Sequence, residues 1–184
     1  MTTTTFDPRE FRNALGCYAT GVAIISARTE AETDVGVTVN SFSSLSLDPP
    51  LILFSVAKTA NILATFQKTA HFAVNILSED QRALSNMFAK PSTADFTKAS
   101  YRRGSNGAAL FDEALAHLEC FNFQQVDGGD HVIFVGRVES MAVLVPRNPL
   151  LFYRGAYGTY ERNEVPPPST AKRVVSTAEQ VIRI

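Results

Sequence analysis

The sequence predicts a mainly β protein, an antiparallel barrel with a few short helices packed outside it. Three observations carry this reading. Apolar, β-branched runs recur at residues 22–27, 35–40, 51–56, 71–77, 116–126, 131–144 and 150–153, and each has a length or an alternation that suits a strand. Turn-forming stretches join neighbouring runs directly, namely the polar segment 29–34 and the tight-turn segment Asp127-Gly128-Gly129-Asp130, which is of the hairpin kind. Helical patterns are few and do not alternate with strands, so parallel βαβ units are not indicated. No GxGxxG follows a strand, which argues against a doubly wound nucleotide-binding fold.

Taken in order, residues 6–17 read as a helix. Phe11, Ala14, Leu15 and Tyr18 fall at helical spacing, and Asp7-Pro8 sets an N-cap before a proline at the first helical position. Gly21 is expected to break it. The run 22–27 turns through 29–34 into 35–40, where Val37 and Val39 alternate with Gly36, Thr38 and Asn40. Residues 51–56 form the next strand. Residues 58–67 are a short helix with Ile62, Leu63 and Phe66 on one face. The run 71–77 places Phe72, Val74 and Ile76 on one side. Ser78-Glu79-Asp80-Gln81 is a capping box for a helix whose inner face is Ala83, Leu84, Met87 and Phe88. Residues 90–106 are a polar connection without periodicity, and a loop of that length is functional or mobile. Residues 131–144 are the longest strand candidate and 150–153 the last. Residues 164–171 hold three consecutive prolines and read as an extended linker. The domain is therefore expected at 6–160, with a Pro-rich linker and tail at 161–184.

Bulk properties narrow the function classes. A chain of 184 residues is most simply one domain with a real core. A formal net charge of −1 gives no electrostatic footprint for nucleic acid or an acidic membrane. The longest apolar runs, 51–54 and 132–135, are too short to span a bilayer. The first ten residues lack a basic start and an apolar segment, so a secretory signal is not expected and the cytoplasm is the expected compartment. Cys17 and Cys120 form no CxxC pair and read as free, structural thiols. His117 and Cys120 lie three apart without a second pair, and on a strand they point to opposite faces. No metal site is expected.

The most informative stretch is residues 36–50, GVTVNSFSSLSLDPP. Its small side chains let a ligand approach the backbone, and its hydroxyls bind phosphate or ring carbonyl oxygens without adding charge. That suits a large, flat, partly anionic cofactor. A strand followed by an irregular loop ending at Asp48-Pro49-Pro50 accounts for the same residues. His131 follows the Gly-Gly-Asp turn and opens the apolar run Val132-Ile133-Phe134-Val135, which places it at a strand mouth, where barrels present ligand-binding groups. Asp130 beside it can orient an imidazole, and a half-exposed turn histidine is the plainer alternative. Lys58 offers one positive charge at a helix start, where free N–H groups also hold phosphate; a solvated lysine is equally ordinary there. Arg154 and Tyr157 pair a cation with an aromatic face, which suits a nucleotide but also ordinary surface packing. No G-x-S-x-G elbow supports a hydrolase.

Five segments together resemble the flavin reductase-like family, the small NAD(P)H:flavin oxidoreductases of two-component monooxygenases. They are ATGVAIISA at 19–27, GVTVNSFSSLSLDPPLILFSV at 36–56, FAVNILSEDQ at 72–81, GGDHVIFVGRVE at 129–139 and PLLFYRGAYG at 149–158. The resemblance runs from about Phe11 to Tyr160. It implies an FMN-binding split β-barrel, antiparallel and Greek-key-like, working as a homodimer. It implies that Gly36, Thr38, Val39, Asn40, Ser41, Phe42, Ser43, Ser44 and Leu45 line the flavin ring. It implies that Ser55, Val56, Ala57 and Lys58 approach the flavin phosphate, and that Phe88, Ala89 and Lys90 close over the flavin tail. His131, Arg154 and Tyr157 would meet the nicotinamide, with His131 as the catalytic position. The implied activity is hydride transfer from NADH or NADPH to FMN or FAD, with reduced flavin passed to a monooxygenase. A module that keeps FMN permanently as an electron carrier is the alternative. Where the family often has a second cation at the phosphate position, Ser55-Val56-Ala57-Lys58 has one, so FMN and FAD both stay open.

Overall fold

The computed structural model describes residues 7–90, 94–144 and 147–161. Its centre is a seven-stranded antiparallel sheet, and all the pairings in it come from the apolar runs and the hairpins between them. The strands are β2 (Ala23–Arg28), β3 (Asp34–Val39), β4 (Ser43–Leu47), β5 (Pro50–Ala57), β6 (His71–Ile76), β9 (Ala116–Gly128) and β10 (His131–Val143), in the order β3-β2-β6-β9-β10-β5-β4. Two small sheets flank it. One joins β1 (Thr20–Gly21), β11 (Leu151–Tyr153) and β12 (Ala156–Gly158), and the other pairs β7 (Tyr101–Arg103) with β8 (Ala109–Phe111).

The sheet wraps one core. Val37 and Val39 of β3 share a cluster with Ile52, Phe54 and Val56 of β5 and with Val132 and Phe134 of β10, although β3 and β5 are far apart in strand order. The two end strands are consecutive in sequence, and no ladder joins them. The connection between them is fastened to β5, where Ser41 Oγ accepts from Ser55 N at 3.0 Å and donates to Ser55 O at 3.2 Å, continuing the β4–β5 register. This is the expected split antiparallel barrel. Four phenylalanines fill its middle. Phe54 stacks on Phe134 at 5.1 Å and meets Phe72 and Phe66 edge-on at 5.2 and 6.1 Å, geometries worth roughly 0.5–1.5 kcal/mol per pair beyond area burial.

The helices depart from expectation in instructive ways. α1 (Pro8–Leu15) starts where Asp7 predicts, with Asp7 Oδ1 accepting from Arg9 N at 2.6 Å. It stops at Gly16, not Gly21, and Phe11 and Leu15 stay exposed. α2 (Leu63–Lys68) begins five residues late, because Lys58 N donates to Asp130 O at 2.8 Å and extends the β5–β10 ladder. Ser78 N donates to Gln81 Oε1 at 3.1 Å, and a 3-10 turn at Glu79–Gln81 leads into α3 (Arg82–Phe88). Ala83, expected inward, is exposed, and Ser85 is buried instead.

Two expected loops are partly structured. Residues 43–47 form an edge strand, β4, paired with β5 across a turn at the cis Asp48–Pro49 bond. Within 90–106, Phe96–Lys98 make a 3-10 turn and β7 follows. This stretch is pinned by Phe96 and Tyr101, which pack on Phe88 and Phe111, and by a bidentate pair between Arg103 and Asp34. The linker and tail expected beyond residue 161 lie outside the described residues.

Buried polar groups tie the outer pieces to the barrel. Asn75 Nδ2 donates to Ile24 O and Ala109 O, and its Oδ1 accepts from Phe111 N at 2.9 Å. His117 is buried, with Nε2 at 2.8 Å from Phe111 O and Nδ1 without a partner. Burial holds its pKa below the ordinary histidine value, outweighing the bond to Phe111. The unfolded chain therefore binds this proton more readily than the folded one. Stability from His117 is complete above about pH 6.5, the unfolded value, and is lost as pH falls through the lower folded value. In urea titrations from about pH 7.5 to 5, the wild type should lose stability as the pH falls, in part through this group. His117→Gln should show a flatter profile, and equal slopes would remove His117 as the cause.

Candidate functional site

A cleft of about 150 Å³ opens where β3, α3 and the small sheet meet. Val22, Val39 and Phe152 supply apolar walls, Thr38, Asn40, Ser85 and Tyr157 polar ones, and Ala89 stands at its exposed edge. One hydrogen-bonded chain holds the polar wall. Thr38 Oγ1 donates to Ser85 O at 2.7 Å, and Tyr157 OH donates to Asn86 Oδ1 at 3.0 Å. The Tyr157 oxygen thus accepts from Ser85 Oγ at 2.8 Å. These bonds join three elements that the backbone ladders leave separate, and they fix the tyrosine ring. Phe152 meets that ring edge-on at 5.5 Å, and the Arg82 guanidinium lies over it at 5.2 Å from the centroid.

A second group forms at the β9–β10 hairpin. His131 pairs with Ala57 at the start of β10. Its Nδ1 lies 2.6 Å from Asp130 Oδ1, and the imidazole is about half exposed. Lys58 Nζ meets Asp127 Oδ2 at 2.7 Å. The Lys58 hydrogen bond holds the Asp127 carboxyl below the usual range, and the His131 hydrogen bond does the same for Asp130. Both carboxylates are fully solvated, so these pairs orient side chains more than they stabilise the fold.

The structure divides the residues singled out by sequence. Thr38, Val39, Asn40, Ala89 and Tyr157 come together on the cleft, and Ala57, Lys58 and His131 at the hairpin. Ser41 is bonded to the backbone of Ser55 on β5. Ser43, Ser44 and Leu45 lie exposed on β4, with Ser43 Oγ donating to Ser44 O at 3.1 Å, and Lys90 is exposed after α3. Phe42 and Val56 pack in the barrel core. Two expectations need correction. Phe88 does not present its ring to a ligand: it is wholly buried against Phe96 and Phe111. Gly36 lacks a side chain for the same reason, since a Cβ there would sit 2.9 Å from Phe88 Cδ1. Arg154 and Tyr157 also do not form a pair. Arg154 sits in the β11–β12 turn at φ 47°, over Tyr153 at 5.4 Å and 3.5 Å from Cys17 Sγ.

Arg82, Ser85 and Asn86 went unnoticed in the sequence. The available signal was the helical spacing of Arg82, Ser85 and Ala89, which share the face beside the inward Phe88. A larger, open depression of about 570 Å³ lies elsewhere, between the β2–β3 turn and α2, and includes Arg28, Glu30, Lys68 and His71. None of the candidate site residues lines it. The 150 Å³ cleft, with its fixed aromatic ring and converging hydroxyls, has the more specific chemistry.

Comparison with known proteins finds relatives over most of the chain. A family model described as flavin reductase like domain matches residues 15–161. The FMN reductase (NADH) SmoA of Agrobacterium fabrum is 42% identical over 154 residues, covering 84% of this chain and 87% of that protein. The reductase component of the flavin-dependent trigonelline monooxygenase of Acinetobacter baylyi is 39% identical, covering 89% of this chain and 53% of its own length. The chain thus spans only about half to two thirds of several curated relatives. A solved Streptomyces globisporus NADH:FAD oxidoreductase, in complex with NAD and FAD fragments, superposes with a TM-score of 0.81 at 32% identity, over 88% of this chain and 99% of that one.

Proposed function

The chain belongs to the flavin reductase like domain family, and from that membership we propose that it is an NAD(P)H-dependent flavin reductase that supplies reduced FMN or FAD to a partner monooxygenase. The observation that carries this reading is the cleft itself. Valine and phenylalanine walls with a hydrogen-bonded Thr38–Ser85–Tyr157 edge suit a flat ring with polar margins, and no activated nucleophile stands among them. The residues present therefore fit a flavin. A bound flavin supplies the hydride acceptor, and a reduced nicotinamide laid against it supplies the hydride.

The protein's own part is binding and alignment. Val22 and Phe152 would desolvate the ring, while Asn40 would offer hydrogen bonds at its edge. Tyr157, held by Ser85 and Asn86, sets the slot's width. His131, oriented by Asp130, is assigned to positioning the nicotinamide and balancing charge as hydride arrives. The relatives named as monooxygenase reductase components support the choice of partner.

A cleft of about 150 Å³ is roughly half the lower bound of about 300 Å³ for a small-molecule pocket, so a whole flavin nucleotide extends beyond it. Leu45 and Leu47 on β4, Phe123 and Val126 on β9, and Met141 and Val143 on β10 are 40–82% exposed, with β9 and β10 neighbours in the sheet and β4 separated from β10 by β5. We assign that surface to a second copy of the chain. Light scattering at micromolar concentration should give the mass of a dimer, and a monomer there would refute this assignment.

The activity is tested by anaerobic mixing of protein, FMN or FAD, and NADH or NADPH, followed at the flavin absorption band. Bleaching that depends on protein is expected. A protein that purifies colourless and needs added flavin acts as a reductase, whereas one that purifies yellow and turns over without added flavin is the carrier. Failure to bleach with every combination would sink the proposal.

A further inference from the structure

Two of the cations that the sequence offers for a ligand, Lys58 and Arg154, are engaged elsewhere. Lys58 is paired with Asp127 at 2.7 Å and lies beside Asp130. Arg154 turns toward Cys17 and Tyr153. Arg82 differs from both. It is exposed, it shares the helix face of Ser85 and Ala89, and its guanidinium lies over the ring of Tyr157, a wall of the cleft, at 5.2 Å from the centroid. Among the described residues no carboxylate forms an ion pair with it, although Asp80, two residues before it, is paired with Arg147. A guanidinium held over an aromatic face and without a carboxylate partner keeps N–H donors for the oxygens of a phosphate ester.

We propose that Arg82 is the phosphate-reading residue of this cleft and binds a phosphate ester of the nucleotide that occupies it. The inference rests on the flavin reading above. The phosphate belongs either to the flavin or to the nicotinamide donor, and the chemistry recognised is the same. Tyr157 acts as the platform: its hydroxyl bonds to Ser85 and Asn86 hold the ring, and the ring holds Arg82.

The test compares ligands that differ by phosphate. Riboflavin and FMN differ by one phosphate ester, while 1-benzyl-1,4-dihydronicotinamide carries the reacting ring of NADH without any phosphate. Dissociation constants for FMN and riboflavin, and kcat/KM for the two hydride donors, are measured on wild type, Arg82→Ala and Arg82→Lys. If the phosphate is the flavin's, Arg82→Ala should weaken FMN by about 10- to 100-fold, the range for a charge-assisted contact, and change riboflavin less than twofold. If it is the donor's, the same loss should fall on NADH and spare the benzyl compound. Arg82→Lys should restore part of either loss, and melting temperatures should match wild type. Equal weakening of FMN and riboflavin, with no selective loss on NADH, would mean that Arg82 only props Tyr157, and would overturn the proposal. So would unchanged affinities for all four ligands. A wild-type protein that binds neither flavin would instead overturn the flavin reading and, with it, this assignment.

Discussion

Ala89→Trp should abolish flavin binding while leaving the fold intact. Ala89 is exposed, immediately follows α3, and lines the cleft. Its backbone is right-handed helical at φ −67°, a conformation tryptophan adopts freely. The indole has little to clash with on the solvent side but occupies most of a space of about 150 Å³. A ring seated in the cleft beside Tyr157 is then excluded. Flavin affinity should drop by roughly 100-fold or more, which corresponds to about 2.7 kcal/mol. Stability should stay within about 0.5 kcal/mol, as for surface changes generally. Fluorescence titration with FMN and FAD, alongside thermal melting, measures both. Unchanged affinity in a variant that melts like wild type would move the flavin ring out of this cleft.

Gly136→Val should prevent the barrel from forming. Gly136 lies on β10 next to a register shift, with its face toward the core. A Cβ placed there would collide with the tip of the Phe72 ring and lie 3.1 Å from Ile52 Cδ1 and 3.2 Å from Cys120 Cβ. Phe72 cannot yield, because it is buried edge-on to Phe54. Overpacking a rigid core by one methylene costs about 1–3 kcal/mol, and valine adds three carbons, so a loss above about 3 kcal/mol is expected. That is a large share of the roughly 5–15 kcal/mol a domain has. Gly21→Ala serves as the control, since nothing stands within 4 Å of a Cβ there. A Gly136→Val protein that is soluble and melts within a few degrees of wild type would refute the packing argument.

How much of this was legible in the sequence follows from the range of each signal. The Asp127–Asp130 turn, the strand of Phe72 and Val74, and the Asp7 cap are local, and they form where the residues indicate. β4 was not legible because Ser43–Leu47 is an exposed edge strand, with no alternation between core and solvent to read. β7 and β8 are three residues each and exist through Arg103–Asp34 and the Phe96–Phe111 contacts, which are long-range. In the site, Thr38, Asn40 and Tyr157 were legible as polar or aromatic groups in promising surroundings. Their connection was not, because it passes through Ser85, a serine like any other in the sequence. Adjacency pointed to Arg154 as the cation for Tyr157, whereas the fold brings Arg82 from the far side. Phe88 misled for a related reason: the segment borders the cleft, but its largest side chain is turned into the core.

The bonds that wall the cleft run from Thr38 to Ser85 and from Ser85 to Tyr157, across 47 and 72 residues. The seven-stranded sheet needs nothing beyond Val143. As the chain emerges from a ribosome, the barrel has all its strands before the last wall has been synthesised. Contacts of such long separation also close late, since the loop entropy must be met first. The pocket is therefore completed only after every strand of the seven-stranded sheet has been made. A nascent or prematurely terminated chain that stops before β11 carries the barrel without a place for its ligand, so retention of flavin distinguishes chains that extend past Tyr157 from those that stop short of β11.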